Sequence, residues 1–503
     1  MSAFVDASGP TQSNGFVARL IEGRPSTSAA FGFSVAAVLG AAVVGVLTGS
    51  LVLASIVLIG GFVLPMVVTE PWWALVMVTV VQLTNTEDVL ADQGVEGVYV
   101  ATLALGLLSV GLGVCRRRVR LVWSPVFLAA ALFLAARALA AFAARDPGVA
   151  MEQVVETVAE LLFFVVFTTL LASTAKYVRL VQLTIVVLAG LSALTAVQEF
   201  VLDNSTTFAG YANVLLSPDL GAATSRHSGP QTDPNFWART LVLFVPLALS
   251  LWAHRSTWLR WMWLGMAVTV CSGIYLTESR GGFIALALVI AIWTMLSGKL
   301  LKFVLIVPIL AVALTVLPGV GSRLATLSDI DDAAAGAGDL SLVGRVQAAR
   351  AGTAVFLDHP VLGVGPGNFV LVIGDYVERP PAGLGPHNVY IEIAAEEGII
   401  GELAWLLLLG TALFVAIRAL ILSRQLAPGA ADCWGRLLSL GVIAGLLGWA
   451  FASLFLGLAY FKILLIVIGL GTALDIEATK EATTRMVAAR RMTTEDSHVR
   501  SRR

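Results

Sequence analysis

Four short stretches gather the residues of this chain that could do chemistry. Arg226-His227-Ser228-Gly229-Pro230-Gln231-Thr232-Asp233-Pro234-Asn235-Phe236 leads into an apolar run, and Glu278-Ser279-Arg280-Gly281-Gly282 lies between two more. Gly344-Arg345 runs on to His359-Pro360-Val361-Leu362-Gly363-Val364-Gly365-Pro366-Gly367-Asn368-Phe369. Pro386-His387-Asn388-Val389-Tyr390-Ile391-Glu392, then Glu396-Glu397-Gly398, opens a long apolar segment. A guanidinium is a planar fork that grips a carboxylate or phosphate at two points. An imidazole titrates near pH 6.5 and suits general-base work. Arginines and a histidine on separate loops therefore point to an anionic substrate.

The elements that must position them are membrane spans. The chain has 503 residues, 58% hydrophobic and 13% charged, with mean hydropathy +0.88. A soluble domain carries about 25% charged residues. Apolar runs of about twenty residues, each able to cross roughly 30 Å of hydrocarbon as a helix, recur from Phe31 to Leu474. The expectation is an all-α polytopic membrane protein with about 14 transmembrane helices (12–14), near 31–48, 51–68, 72–84, 98–114, 122–143, 154–174, 180–201, 234–252, 258–277, 281–298, 300–318, 398–420, 437–456 and 457–474. Residues 1–30 read as a cytoplasmic tail without a signal-peptide layout. Residues 31–474 read as the membrane domain, and 475–503 as a basic cytoplasmic tail. Two long outer loops are expected. One covers about 202–233. The other, 319–397, should hold short helices, among them 342–357 with its helical spacing. The glycine run at 363–367 reads as a tight turn and not a phosphate cradle. Asp233-Pro234-Asn235 reads as a helix cap.

With the N-terminus inside, 22 of the 32 Lys and Arg residues fall in cytoplasmic tails or short loops, which sets the orientation. The other ten lie toward the opposite surface. Arg137, Glu156, Glu160, Glu199, Arg239, Glu278, Arg280 and Lys462 all sit within or at the ends of spans there. Intramembrane charge marks function by default. A polar cavity opening outward is expected, with structural pairing such as Arg137–Glu160 as the plainer alternative. Cys115, Cys271 and Cys433 have no paired spacing, so neither a disulfide framework nor a metal site is indicated. Net charge is −1, and no nucleic-acid partner is expected.

The four stretches, in this order, resemble the O-antigen ligase / O-antigen polymerase superfamily of bacterial envelope glycosyltransferases, over roughly residues 180–470. The marks are Ser279-Arg280-Gly281-Gly282, the segment from His359 to Phe369, and Pro386-His387-Asn388-Val389-Tyr390-Ile391-Glu392 with Glu396-Glu397-Gly398-Ile399-Ile400-Gly401. The resemblance implies a multi-pass protein of the bacterial cytoplasmic membrane with its active site on the extracytoplasmic side. It implies transfer of a glycan from a polyprenyl-diphosphate carrier to a glycan, lipid or protein acceptor. Arg280 and Arg345, with Arg226 as a third, match the diphosphate-binding arginines, and His387 matches the catalytic histidine. Glu278, Ser279, Asp233, Asn235, Asn388 and Glu392 are supporting polar residues. Direct displacement inverts the anomeric configuration, and neither metal nor cofactor is expected. The structural alternatives are a capping or Glu278-pairing role for Arg280, pairing of Arg345 with Asp339 or Asp358, and a helix-start hydrogen bond for His387. The competing function is a lipid-linked oligosaccharide flippase of the export pathway. Against it stand the long outer loop ending in a histidine and the lack of evident similarity between halves. A scaffold of the export assembly is a third reading.

Overall fold

The computed structural model describes residues 63–202, 206–217, 224–254, 258–298, 340–377, 385–427, 433–458 and 461–500, together with 39, 43, 60 and 61. The spans expected at 31–48 and 300–318 and most of 51–68 lie outside the described residues, as does the first part of the 319–397 loop.

The described chain is a bundle of helices. In order these are α1 Pro71–Leu83, α2 Thr86–Ala91, α3 Val98–Cys115, α4 Pro125–Ala141, α5 Pro147–Thr174 and α6 Tyr177–Phe200. A hairpin of β1 Asn213–Ser217 and β2 Thr224–Gly229 follows. Then come α7 Pro234–Ala253, α8 Leu259–Leu276, α9 Arg280–Leu296, α10 Leu340–Asp358, α11 Phe369–Val372, α12 Val389–Leu426, α13 Trp434–Ala452 and α14 Phe461–Arg500. Seven of them, α3, α5, α6, α7, α8, α12 and α13, are long and apolar enough to cross a membrane. α1, α4 and α9 are shorter apolar helices. The chain is a helical membrane protein.

Helix starts follow local chemistry. Ser124, Asp146 and Asp233 each accept a backbone N–H of the first turn, and each precedes a proline at the first helical position. Ser279 caps α9 by accepting from Gly282 N, and Asn388 caps α12 by accepting from Tyr390 N and Ile391 N. α7 forms the centre: Trp237, Leu241, Phe244 and Leu247 are buried, and it packs on α8, α9 and α13. α4 packs against α12, where Phe133, Trp405 and Phe461 of α14 meet in ring contacts at 5.3–6.1 Å.

Three features depart from expectation. The 202–233 loop carries an antiparallel hairpin, pairing Val214 with His227 and Leu215 with Arg226. The final helix does not stop near 474 but runs on to Arg500. The helix expected at 398 begins at Val389 and breaks at Gly398, whose φ of 65° and ψ of −165° only glycine adopts readily. The break releases carbonyls, and the 360–369 loop takes them: Val364 N donates to Ala395 O (3.1 Å) and Gly365 N to Glu396 O (2.8 Å), while Ile399 N donates to Pro360 O (2.9 Å). The Arg137–Glu160 pairing given as the plainer alternative to a polar cavity is not the one formed. Arg137 faces α12 and bonds Glu397 at 2.6 Å in full burial, because α4 packs on α12 there.

Candidate active site

A crevice forms where the first turns of α7 and α9 meet the end of α13 and the side of α10. Asn235, Arg239, Ser279, Gly281, Gly282, Arg345, Ala452, Phe455 and Leu456 line it. The close fit explains the glycine pair. A Cβ on Gly282 would stand 2.7 Å from the Ala238 methyl, so the first turn of α9 lies flush on α7 only without one. Helix N-termini carry partial positive charge and unmatched N–H groups, which favour anions. Two such termini and the Arg345 guanidinium make this crevice anion-attracting.

His387 stands beside it in the left-handed region, at φ 47°, one residue before the α12 cap. That conformation costs a non-glycine residue of order 1 kcal/mol or more and persists where the surroundings impose it. Its neighbours impose it from both sides. Asn388 is fixed by capping, and Pro386 packs over Gly352 of α10. Burial first and the Arg345 guanidinium second push the imidazole down to about 4, with Asp233 pulling the other way. The ring is therefore neutral at physiological pH, the state in which one ring nitrogen carries a lone pair.

The structure places the sequence-predicted residues unevenly. Arg345, Ser279 and Asn235 line the crevice, and the Arg345 charge disfavours protonation of His387. Arg280 is the half-buried first residue of α9, between two lining residues. Glu278 precedes the α9 cap, itself left-handed at φ 50°. Arg226 is not among the lining residues. Its Nε donates to Thr277 O (3.0 Å) and its Nη2 to Asn235 Oδ1 (3.1 Å), tying the hairpin to the end of α8 and the start of α7. Asp233, Ser279 and Asn388 all direct their side-chain oxygens to backbone amides as caps. Glu392 accepts from Leu458 N at 2.9 Å and holds a turn.

The glycine run cradles an anion that the chain supplies itself. The Glu396 carboxylate accepts from Gly367 N (2.8 Å) and Phe369 N (3.2 Å). Arg239 was expected only as one of the span charges of an outward-opening polar cavity, on its signal as a charge inside an apolar helix. Phe455 and Leu456 were not expected, because apolar residues carried no signal.

Fold and site define a polytopic helical membrane protein with a cationic crevice and an adjoining neutral histidine. Residues 265–406, a stretch that includes Arg280, Arg345 and His387, match a family described as O-antigen ligase, which supports the resemblance to the O-antigen ligase / O-antigen polymerase superfamily over that stretch. No curated protein matches the chain.

Proposed function

We propose that the protein moves a glycan from a polyprenyl-diphosphate carrier to an acceptor hydroxyl at the outer face of the bacterial cytoplasmic membrane. The acceptor oxygen attacks the anomeric carbon and the bond to the diphosphate oxygen breaks. The electron pair leaves on the diphosphate, and the hydroxyl proton passes to the His387 imidazole. Configuration inverts, since one displacement occurs. Charge grows on the leaving diphosphate, and fixed cations stabilise it where it develops. Arg345 and Arg280 take that role.

The observation that carries this reading is the joint placement of Arg345 and a neutral His387 beside a crevice walled by the α7 and α9 N-termini. A diphosphate donor needs the first and an attacking hydroxyl the second. The test is a purified, reconstituted assay with a synthetic polyprenyl-diphosphate oligosaccharide. Incubation with more of the same carrier-linked glycan reads polymerase action. Incubation with an envelope lipid extract reads ligase action. Arg280→Ala and Arg345→Ala should each raise the donor KM and lower kcat. Unchanged kinetics in both would remove the donor assignment.

A further inference from the structure

The turn joining α13 to α14 is part of the crevice, although no motif marks it. Phe455 and Leu456 wall the crevice, with Phe455 packed over Gly281. Residues 453–458 are held from two sides. From α12, Val389 N donates to Ser453 O and Glu392 Oε2 accepts from Leu458 N, both at 2.9 Å. The Tyr390 hydroxyl adds a bond to Ala450 O at 2.8 Å. From α7, Arg239 Nη1 donates to Gly457 O at 2.9 Å and to Ser453 Oγ at 3.4 Å. Its guanidinium lies 4.9 Å from the Trp449 ring centroid. Arg239 is only 2% exposed. A guanidinium buried in an apolar helix is costly unless its donors are matched. This one reaches across to main chain and a hydroxyl on another element, which is the arrangement of a clamp.

We infer that Arg239 is a positioning residue for His387: it pins the 453–458 turn, and that turn fixes the first residue of α12, two positions beyond the imidazole. The same clamp presents Phe455 and Leu456 as the apolar wall of the crevice. This rests on the transfer reading above. Both Arg239 and the turn lie outside the matched stretch 265–406.

The experiment uses the full chain reconstituted in lipid nanodiscs, with Arg239→Met and Arg239→Lys, and a synthetic polyprenyl-diphosphate oligosaccharide as donor and acceptor. Misplacing the base predicts a fall in kcat of about 100-fold in Arg239→Met, with the donor KM held within about threefold. Arg239→Lys retains one donor toward Gly457 O and should recover about tenfold of the loss. Hydrogen exchange, read independently of activity, should quicken at the Val389 and Leu458 amides in Arg239→Met. A KM raised more than about tenfold at preserved kcat would make Arg239 a donor contact and overturn the proposal. Unchanged exchange at both amides would overturn it as well. Should Arg239→Met not fold, Arg239→Lys carries the same comparison at smaller amplitude. A wild-type protein that turns over no donor would sink the transfer reading alone, since the exchange comparison stands without it.

Discussion

Alanine at Gly398 should be among the most damaging single-methyl additions in the protein. Gly398 holds φ 65° and ψ −165°, a region that costs an L-residue about 1–3 kcal/mol. The added Cβ would stand 2.3 Å from the Val361 carbonyl carbon and oxygen, where 3.0 Å is the closest tolerable approach, so the loop must retreat by 0.7 Å or more. That retreat weakens Ile399 N to Pro360 O, Val364 N to Ala395 O and Gly365 N to Glu396 O, at about 1 kcal/mol each. With two of the three lost, the expected destabilisation is about 3–5 kcal/mol. The same docking joins α10, which carries Arg345, to α12, which His387 precedes, so transfer should fall by about 100-fold in whatever fraction remains folded. The assay is tryptophan-monitored unfolding in mixed micelles, paired with transfer at a temperature where the variant is folded. Gly410→Ala in the same helix is the control, because a Cβ there meets nothing within 4 Å and should stabilise by about 1 kcal/mol. If Gly398→Ala unfolds within about 1 kcal/mol of wild type, the helix break is not what locks the loop.

Other outcomes follow from the same contacts. Arg137→Met leaves Glu397 buried without its partner and should cost about 3–5 kcal/mol, while adding Glu397→Gln should recover much of it, as unfolding midpoints would show. Because burial and Arg345 hold His387 near 4, the acid limb of the kcat/KM profile should lie well below 6.5, and Arg345→Gln should move it upward. Between about 4 and 6.5 the unfolded chain binds the His387 proton and the folded chain does not, so this group's contribution to stability falls as pH drops through that window. Asn388→Ala removes a cap that accepts two amides and should cost about 1 kcal/mol, with a larger relative effect on kcat than on donor KM.

Much of the bundle was legible because apolar runs broken by Pro, Gly and charge mark helices regardless of what they pack against. The cap-proline pair Asp233-Pro234 marked the start of α7, whereas Ser124-Pro125 and Asp146-Pro147, which start α4 and α5, went unread behind spans expected from 122 and 154. Gly398 misled the boundary, since a glycine before an apolar run reads as a helix start, whereas here it is a break stabilised by a loop thirty-odd residues upstream. The hairpin escaped because Asn213–Ser217 is short and half apolar, with no tight-turn dipeptide to announce it. Arg137–Glu397 joins positions 260 residues apart, and no local pattern encodes it. Of the crevice lining, Ser279 and Asn235 stood out in the sequence as polar residues at span ends, while Arg345, on the outer loop, and the adjoining His387 were singled out through the family resemblance. The crevice wall of Phe455 and Leu456 was not, because an apolar residue in an apolar chain gives no signal until its neighbours are known.

The most direct test is single-turnover release of polyprenyl diphosphate from a synthetic carrier-linked oligosaccharide by wild type and His387→Ala, with donor binding measured on both. Loss of a general base predicts release slowed by about 10²–10⁴-fold with donor affinity preserved. Release at the wild-type rate from the alanine variant would contradict the role of His387 at this crevice.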